Sequence, residues 1–432
     1  MRTLSSMSRR DLLKATGALV VSFTLRGQNA AEPGKPLDPS EVDSFLAIHP
    51  DGSVTVYSGK VDIGQGLRIA VRQMAAEELG IPVERITLVE GDTGLSPDQG
   101  GTGGSTGLTR GGTEVRQAAA TARKALLGLG AERLQRSAAE LTIVDGEIWP
   151  TAGGPILGTV ITSFGVSIAT LVGGRKLDLK VDPKAPLRDP ASYRTVGKPL
   201  ARPDVPGKCT AKGDYLQDLT LPGMLHGRVV RPPAIGAKLM AVDESSIRGI
   251  PDVRVVRTEN FLAVVAPDEW AAVRAARELK ATWSEWQGLP GNDGLERFLR
   301  ESPVDHDQVV AGKPRGDAKI TPAPIRQLSA TYFWPNQSHA SLGPSCAVAD
   351  WRPDGLTVWT SSQSTHGQRA SFAKILGLAE AKVRVIYKEG AGSYGGNGND
   401  DAAADAVLLS KAVGRPVRVL SLIHISEPTR PY

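Results

Sequence analysis

Apolar and polar positions alternate in short bursts from Phe45 onward, and most bursts are closed by Gly, Pro, Asn or Asp. Phe45-Leu46-Ala47-Ile48-His49 and Val54-Thr55-Val56-Tyr57 flank Pro50-Asp51-Gly52, which predicts a hairpin with its turn residues in place. Residues 60–66, KVDIGQG, open a predicted helix over Leu67–Leu79, which Gly80 ends and Pro82 follows. A strand over Ile86–Glu90 leads into Gly91-Asp92-Thr93 and then into a glycine-dense loop, QGGTGGSTG, over residues 99–107. A second helix is predicted over 114–135, with Val115, Ala119, Ala122, Leu126, Leu129 and Leu134 facing inward. Residues 141–149 form a further hairpin around Asp145-Gly146.

Beyond a proline-rich polar stretch at 183–206, which has the composition of a linker, strands are predicted at 224–231, 253–258 and 261–265. A helix over 268–279, with Trp270, Val273 and Ala276 inward, completes a compact α+β unit over about 196–287. Residues 289–325 are polar again, with helix only near 295–299. Strands then follow at 327–334, 347–351 and 356–361, a helix at 368–376, a strand at 382–387, a helix at 402–413 and a strand at 416–420. The fold class expected is α+β.

Glycine marks three strand-to-helix or loop-to-helix turns. Gly390, Gly392 and Gly395 spell G-x-G-x-x-G between a strand and a helix, a pattern that lets backbone approach a phosphate. Three readings stay open from these residues: a phosphorylated cofactor, a plain NAD site, or a structural loop. Asp400 and Asp401 at the helix start would repel a pyrophosphate, which disfavours NAD. The other two turns are Gly64-Gln65-Gly66 and residues 102–107. Gln65 both donates and accepts, and Ser105 and Thr106 add hydroxyls, so the pair suits a ring rich in C=O and N–H groups.

The 432 residues are 41% hydrophobic and 22% charged, ordinary for a globular protein large enough for two or three domains. Five basic residues (Arg2, Arg9, Arg10, Lys14, Arg26) against Asp11 concentrate four of the formal +5 charges in the first 26 residues. The body is near neutral, which gives no support to a nucleic-acid partner. Ser8-Arg9-Arg10-Asp11-Leu12-Leu13-Lys14 before a weakly apolar run resembles a twin-arginine export signal, with Leu12 where Phe is usual. Residues 1–31 are therefore expected to engage the twin-arginine machinery and direct the protein to the periplasm or the periplasmic face of the membrane. At the other end, residues 421–432, SLIHISEPTRPY, lose every pattern and resemble translated sequencing adapter. The native chain is expected to continue past Leu420, the fragment to be inactive, and the strand at 416–420 to be left at an open sheet edge. Cys209 and Cys346 are the only cysteines and are expected to be small buried thiols rather than metal ligands.

GKVDIGQG, followed by RQMAAEELG, GDT and the T-G-G-S loop, resembles a pterin-binding lobe of the xanthine oxidase family of molybdenum hydroxylases, and in particular large subunits of the nicotinate dehydrogenase and isoquinoline 1-oxidoreductase types. Residues 204–218 (DVPGKCTAKGDYLQD), 221–233 (LPGMLHGRVVRPP), 260–270 (NFLAVVAPDEW), 338–347 (SHASLGPSCA) and 400–419 agree, so the resemblance covers about 42–419. It implies a lobe at 42–170, a linker at 171–195, an α/β hammerhead domain at 196–287, a second linker at 288–325 and the start of the main molybdopterin-binding domain at 326–420. It further implies a molybdenum pterin, in its cytosine dinucleotide form, gripped by Gly64, Gln65, Gly66, Gly104, Ser105, Thr106, Gln363, Ser393, Tyr394 and Gly395, with no protein ligand to the metal. Ala391 and Ser393 depart from the family's G-G-G-F-G turn. The chemistry implied is hydroxylation of an N-heteroaromatic compound or aldehyde with oxygen from water. Electrons would pass to a small [2Fe–2S] subunit, with a c-type cytochrome as a candidate acceptor. The family's glutamate base lies in a G-x-G-E segment that this sequence lacks, so no catalytic residue is assigned. His339 and His366 are read as structural donors.

Overall fold

The computed structural model describes residues 37–151, 165–172, 178–234, 236–286, 288, 290–306, 326, 328–334, 341, 343–390, 392 and 401–421. The expected export leader, His339, the turn residues Ser393, Tyr394 and Gly395, and the tail from 422 lie outside the described residues.

The N-terminal lobe begins with β1 (Leu46–Ile48), β2 (Val54–Ser58), helix α1 (Leu67–Leu79) and β3 (Ile86–Glu90). β1 and β2 pair antiparallel across the predicted turn, whereas β2 and β3 pair parallel, with α1 as the crossover between them. α1 ends where its sequence says: Gly80 turns left-handed at φ 67°, and a Cβ there would lie 2.4 Å from the Ile143 carbonyl oxygen. Helix α2 (Thr113–Leu134) lies against α1, and Val115, Ala119, Ala122 and Leu126 pack with Val71, Ala75 and Leu79 in one core. Leu129 and Leu134, expected on that face, are only half-buried. β4 (Leu141–Val144), β5 (Glu147–Pro150) and β6 (Val166–Ser167) form a small antiparallel sheet that short helix α3 (Ile168–Val172) follows.

The stretch read as a linker is held down by two adjacent glutamates of α1. Glu77 accepts the backbone N–H groups of Arg194, Thr195 and Val196. Glu78, fully buried, accepts from Arg116 Nε at 2.9 Å and from the Arg188 N–H at 3.1 Å. Past this clamp, the one-turn helix α4 (Val205–Cys209) leads into the second body, and Cys209 is exposed rather than buried.

The second body opens with β7 (Leu225–Val229), then β8 (Leu239–Asp243), β9 (Arg254–Thr258), β10 (Phe261–Ala266), α5 (Glu269–Glu278), β11 (Lys280–Trp283) and α6 (Gly291–Glu301). β12 (Ser345–Arg352), β13 (Gly355–Thr360), α7 (Thr365–Leu376), β14 (Val383–Tyr387), α8 (Asp401–Val413) and β15 (Val417–Ser421) follow. Seven strands form one mixed sheet in the order β14-β13-β12-β15-β7-β10-β9, so β7, β9 and β10 extend the sheet of residues 345–421, while β8 and β11 pair in a separate two-stranded sheet. β10 divides two cores by strict alternation. Ala263 and Val265 face α8 residues such as Ala406 and Leu409, while Leu262, Val264 and Ala266 face Ala271, Ala272 and Ala275 of α5. The architecture is α+β, as the pattern implied.

Three local expectations differ from the structure. On α5 the alanines face inward and Trp270 is 60% exposed, because small side chains let the helix lie close to the sheet where an indole would hold it off. Residues 328–334 form no strand; Leu328, Tyr332, Phe333 and Trp334 are exposed, although their apolar and β-favouring composition matches a strand. β15 is flanked on both sides, antiparallel by β12 and parallel by β7, so it is not an open edge, and it extends through Ser421.

The two bodies are stitched along β14. Thr93 N–H donates to Val385 O (2.9 Å), Tyr387 N–H to Gly91 O (3.0 Å) and Val385 N–H to Thr93 Oγ1 (2.9 Å), so the 91–93 turn completes the outer edge of the seven-stranded sheet. Arg384 grips Asp92 with two bonds, 2.9 and 2.7 Å. Gly91 has φ 60°, and a Cβ on it would lie 2.5 Å from Val61 Cγ1 and 2.6 Å from Tyr387 Cβ. Gly91→Ala should therefore destabilise by about 2–4 kcal/mol, from overpacking and a left-handed backbone. Urea midpoints would measure this, and a loss below about 0.5 kcal/mol, typical of a neutral surface change, would refute it.

Candidate functional site

The seam sets the glycine-dense loop of the N-terminal lobe against the turn that follows β13. Thr102 N–H donates to Gln363 O (2.7 Å), and Gln363 Nε2 returns a bond to Thr102 O (2.6 Å). Gln363 is 8% exposed, so this reciprocal pair is held out of water. The loop is fixed from below as well. Thr102 Oγ1 accepts the Val61 N–H (3.0 Å), and Lys60 Nζ reaches Gly101 O (2.6 Å) and Thr106 Oγ1 (3.1 Å). A cavity of about 410 Å³ opens between these groups, walled by residues 100–103, Thr106, Gln363 and Ser364, with Lys60 and Arg110 supplying charge.

Of the residues expected at the site, Thr106 and Gln363 line this cavity. Gly104 and Ser105 sit beside it on the exposed rim in left-handed conformations, φ 55° and 59°. A Cβ on Gly103 or Gly104 would meet nothing within 4 Å, so backbone there is open to a ligand. The loop then runs through a π-helical turn, Gly107–Gly112, into α2.

Gly64, Gln65 and Gly66 do not reach the same cavity. Gly64 and Gly66 take φ 114° and 83° to wrap the buried Asp62 carboxylate, which accepts from the N–H groups of Gly64 (2.9 Å), Gly66 (3.2 Å) and Arg68 (2.9 Å). The start of α1 is thereby satisfied by its own chain, with a negative charge at its positive end. Gln65 also turns inward on the loop, accepting from Ile63 N–H (2.7 Å) and donating to Val61 O (3.1 Å). Tyr387 Oη donates to Asp62 O (2.6 Å), which ties this loop to β14 too.

The G-x-G-x-x-G pattern takes a structural meaning at its first position. A Cβ on Gly390 would lie 2.7 Å from the Ser361 side chain, so this glycine serves close packing against the end of β13. Ser393, Tyr394 and Gly395 fall outside the described residues. A second cavity of about 490 Å³ lies beyond, between Arg68, Asp204, Lys208, Tyr387 and Glu389. Its charges satisfy each other: Lys208 bonds Asp204 at 2.6 Å and pairs with Glu389, and Arg202 bonds Asp204 at 2.6 Å. Arg202 and Lys208 hold the Asp204 carboxyl well below the usual range. Burial pushes Glu90, beneath Arg68, up to about 7.

Two contributors were missed by sequence reasoning. Lys60 and Arg110 lie in stretches singled out for their glycines, and the only signal was a lysine flanked by Gly59 and Val61 directly after a buried strand. His366 is half-buried and kept neutral by burial, which lowers its pKa, and its Nε2 has no partner. Among the described residues no three His, Cys, Asp or Glu side chains converge to hold a metal ion by themselves.

Two models, each described as a molybdopterin cofactor-binding domain, match residues 12–197 and 303–422. A nicotinate dehydrogenase subunit of Pseudomonas putida is 41% identical over 98% of this chain and 36% of its own length. The beta subunit of isoquinoline 1-oxidoreductase from Brevundimonas diminuta is 25% identical over 96% of this chain and 59% of its own length. This chain thus spans less than two thirds of these curated relatives. Among solved structures, quinoline 2-oxidoreductase from Pseudomonas putida 86 aligns over 53% of this chain and 35% of its own, with 20% identity and a TM-score of 0.43. Cofactor-binding domains fall on both sides of the Thr102–Gln363 contact, and this chain belongs to the molybdopterin-binding large subunits of the xanthine oxidase family.

Proposed function

We propose that this chain is the cofactor-holding part of an exported molybdenum hydroxylase or dehydrogenase that oxidises an N-heteroaromatic compound or an aldehyde. The observation that carries the reading is the reciprocal Thr102–Gln363 pair, which closes a glycine-walled cavity between the two bodies. The cavity fits a pterin on physical grounds. Backbone at Gly103 and Gly104 is unobstructed, and the wall around it offers the Thr106 hydroxyl and the Gln363 turn, polar groups that suit a ligand rich in N–H and C=O groups.

When bound, a molybdenum pterin supplies two-electron oxidation with oxygen drawn from water. The chain's own share is binding and orientation. Gln363 and Thr102 hold the cleft at fixed width, Thr106 and Lys60 fix the loop, and the 91–93 seam keeps both walls in register. The cytosine dinucleotide form is proposed because relatives of the nicotinate dehydrogenase and isoquinoline oxidoreductase types motivate it, and the base is proposed to be a glutamate from outside these residues. A c-type cytochrome is the proposed terminal acceptor.

Full-length protein should carry molybdenum and release a cytidine-containing pterin on denaturation. Gln363→Ala should lower molybdenum occupancy about tenfold, since each lost buried hydrogen bond is worth roughly 1–3 kcal/mol. Metal-free wild-type protein from a molybdenum-replete host would refute the reading.

Electrons are proposed to leave through a separate iron–sulfur subunit, because the relatives this chain matches are themselves named as one subunit of a larger enzyme. A small iron–sulfur protein should co-purify with the full-length chain, whereas cluster absorbance in the isolated chain would overturn the idea.

Export to the periplasm rests on Arg9-Arg10 before a weakly apolar run. Replacing both with lysine should abolish periplasmic accumulation, and an unchanged periplasmic yield would count against the route.

A further inference from the structure

Lys60 is 2% exposed, yet among the described residues no carboxylate pairs with its ammonium. Its stem threads under Gly111, where a Cβ would come within 2.4 Å of Lys60 Cγ, so the path of the side chain is built rather than incidental. The ammonium then emerges at the wall of the 410 Å³ cavity, where two of its three protons go to Gly101 O and Thr106 Oγ1. Arg110 faces the same cavity, and no acidic side chain lines it. The nearest acids are engaged elsewhere. Glu114 accepts from Arg110 Nε (3.3 Å) and Gln99 Nε2 (2.7 Å), and Asp98 from the Gly100 N–H (2.8 Å). Burial and the neighbouring Arg110 charge depress the Lys60 pKa, and the Glu114 and Asp98 charges, neither paired directly with it, oppose that shift without cancelling it. In the 490 Å³ cavity, by contrast, Arg68 and Lys208 both have carboxylate partners, whereas here Arg110 pairs with Glu114 and Lys60 has no such partner among the described residues.

We propose that Lys60 and Arg110 are the cationic seat for phosphate oxygens of the bound cofactor. This rests on the molybdopterin reading above and deepens it: the glycines shape the cleft, and these two side chains hold the anionic end of what enters it. A single phosphate and a pyrophosphate share this chemistry, so both serve as probes. A purely structural Lys60 would tie residues 101–106 without creating any anion affinity.

The test uses the full-length protein with its partner subunits, made without cofactor in a host unable to synthesise it. Thermal unfolding is followed with inorganic phosphate, inorganic pyrophosphate or sodium chloride at matched ionic strength. Wild-type protein should be stabilised by several degrees at millimolar phosphate or pyrophosphate and not by chloride. A response to pyrophosphate alone would identify a two-phosphate seat, and an equal response to both a one-phosphate seat. Lys60→Met should weaken the apparent affinity at least tenfold, and Lys60→Arg should retain it. Arg110 has a side chain 60% exposed, so Arg110→Gln leaves the core intact and should weaken affinity in the same direction even where Lys60→Met fails to fold. No stabilisation of wild type, or equal stabilisation in the Arg110→Gln and wild-type proteins, overturns the proposal. If wild-type protein from a cofactor-competent host holds molybdenum while phosphate affinity ignores both side chains, this inference alone fails. If affinity depends on them but no molybdenum is found, the cofactor assignment fails instead.

Discussion

Unpaired backbone groups on the outer edge of a sheet must find partners, and at β14 those partners come from the 91–93 turn of the other body. This contact is what the cleft depends on. Asp92 and Arg384 fix its register, and a slip of the turn by one residue would carry the Asp92 carboxylate to the other side of the edge, away from Arg384. Gly91 is required because two side chains, Val61 and Tyr387, occupy the space its Cβ would need. With the turn docked, the loop at residues 99–107 has nowhere to go but against Gln363, and the Thr102–Gln363 pair forms at a distance set by backbone geometry rather than by long side chains.

Charge reinforces the same arrangement at places where apolar packing is thin. Burial opposes ionisation of Glu77, yet three converging backbone N–H groups keep its carboxyl below the usual range. Together with Glu78 it turns a proline-rich connection into a fixed strap, and the two buried carboxylates remain favourable only while every partner is present. Arg68, Arg202, Asp204, Lys208 and Glu389 make a second joint, linking the start of α1, the strap and the end of β14. In both joints every carboxylate has its donors. At the glycine-walled cavity Arg110 is paired too, with Glu114, and it is Lys60 that has no carboxylate partner among the described residues.

Local periodicity was legible wherever one face of an element is buried and the other wet. Leu67–Leu79 and Ile86–Glu90 are readable to the residue and Val383–Tyr387 to within one, because alternation or a glycine cap records the environment of each position directly. Legibility failed where several environments produce the same letters. Alanine is neutral in a hydrophobic pattern, so the phase of α5 was assigned to Trp270 instead of Ala271, Ala272 and Ala275. Residues 328–334 carry strand composition without a partner strand to pair with among the described residues.

The sequence alone determined the α+β class, most element positions, the glycine loops and the family resemblance, since these follow from local backbone preference and from long ordered motifs. Only the tertiary structure decided which loops share a cavity. It joined Thr102 to Gln363, turned Gln65 and the Asp62 carboxylate inward on their own loop, merged β7, β9 and β10 with the strands of residues 345–421 into one sheet, and placed Lys60 at the cavity wall. Those outcomes depend on pairings between residues far apart in the chain, whose free energy comes from docking two surfaces, and periodicity along one segment carries no record of the surface it will meet.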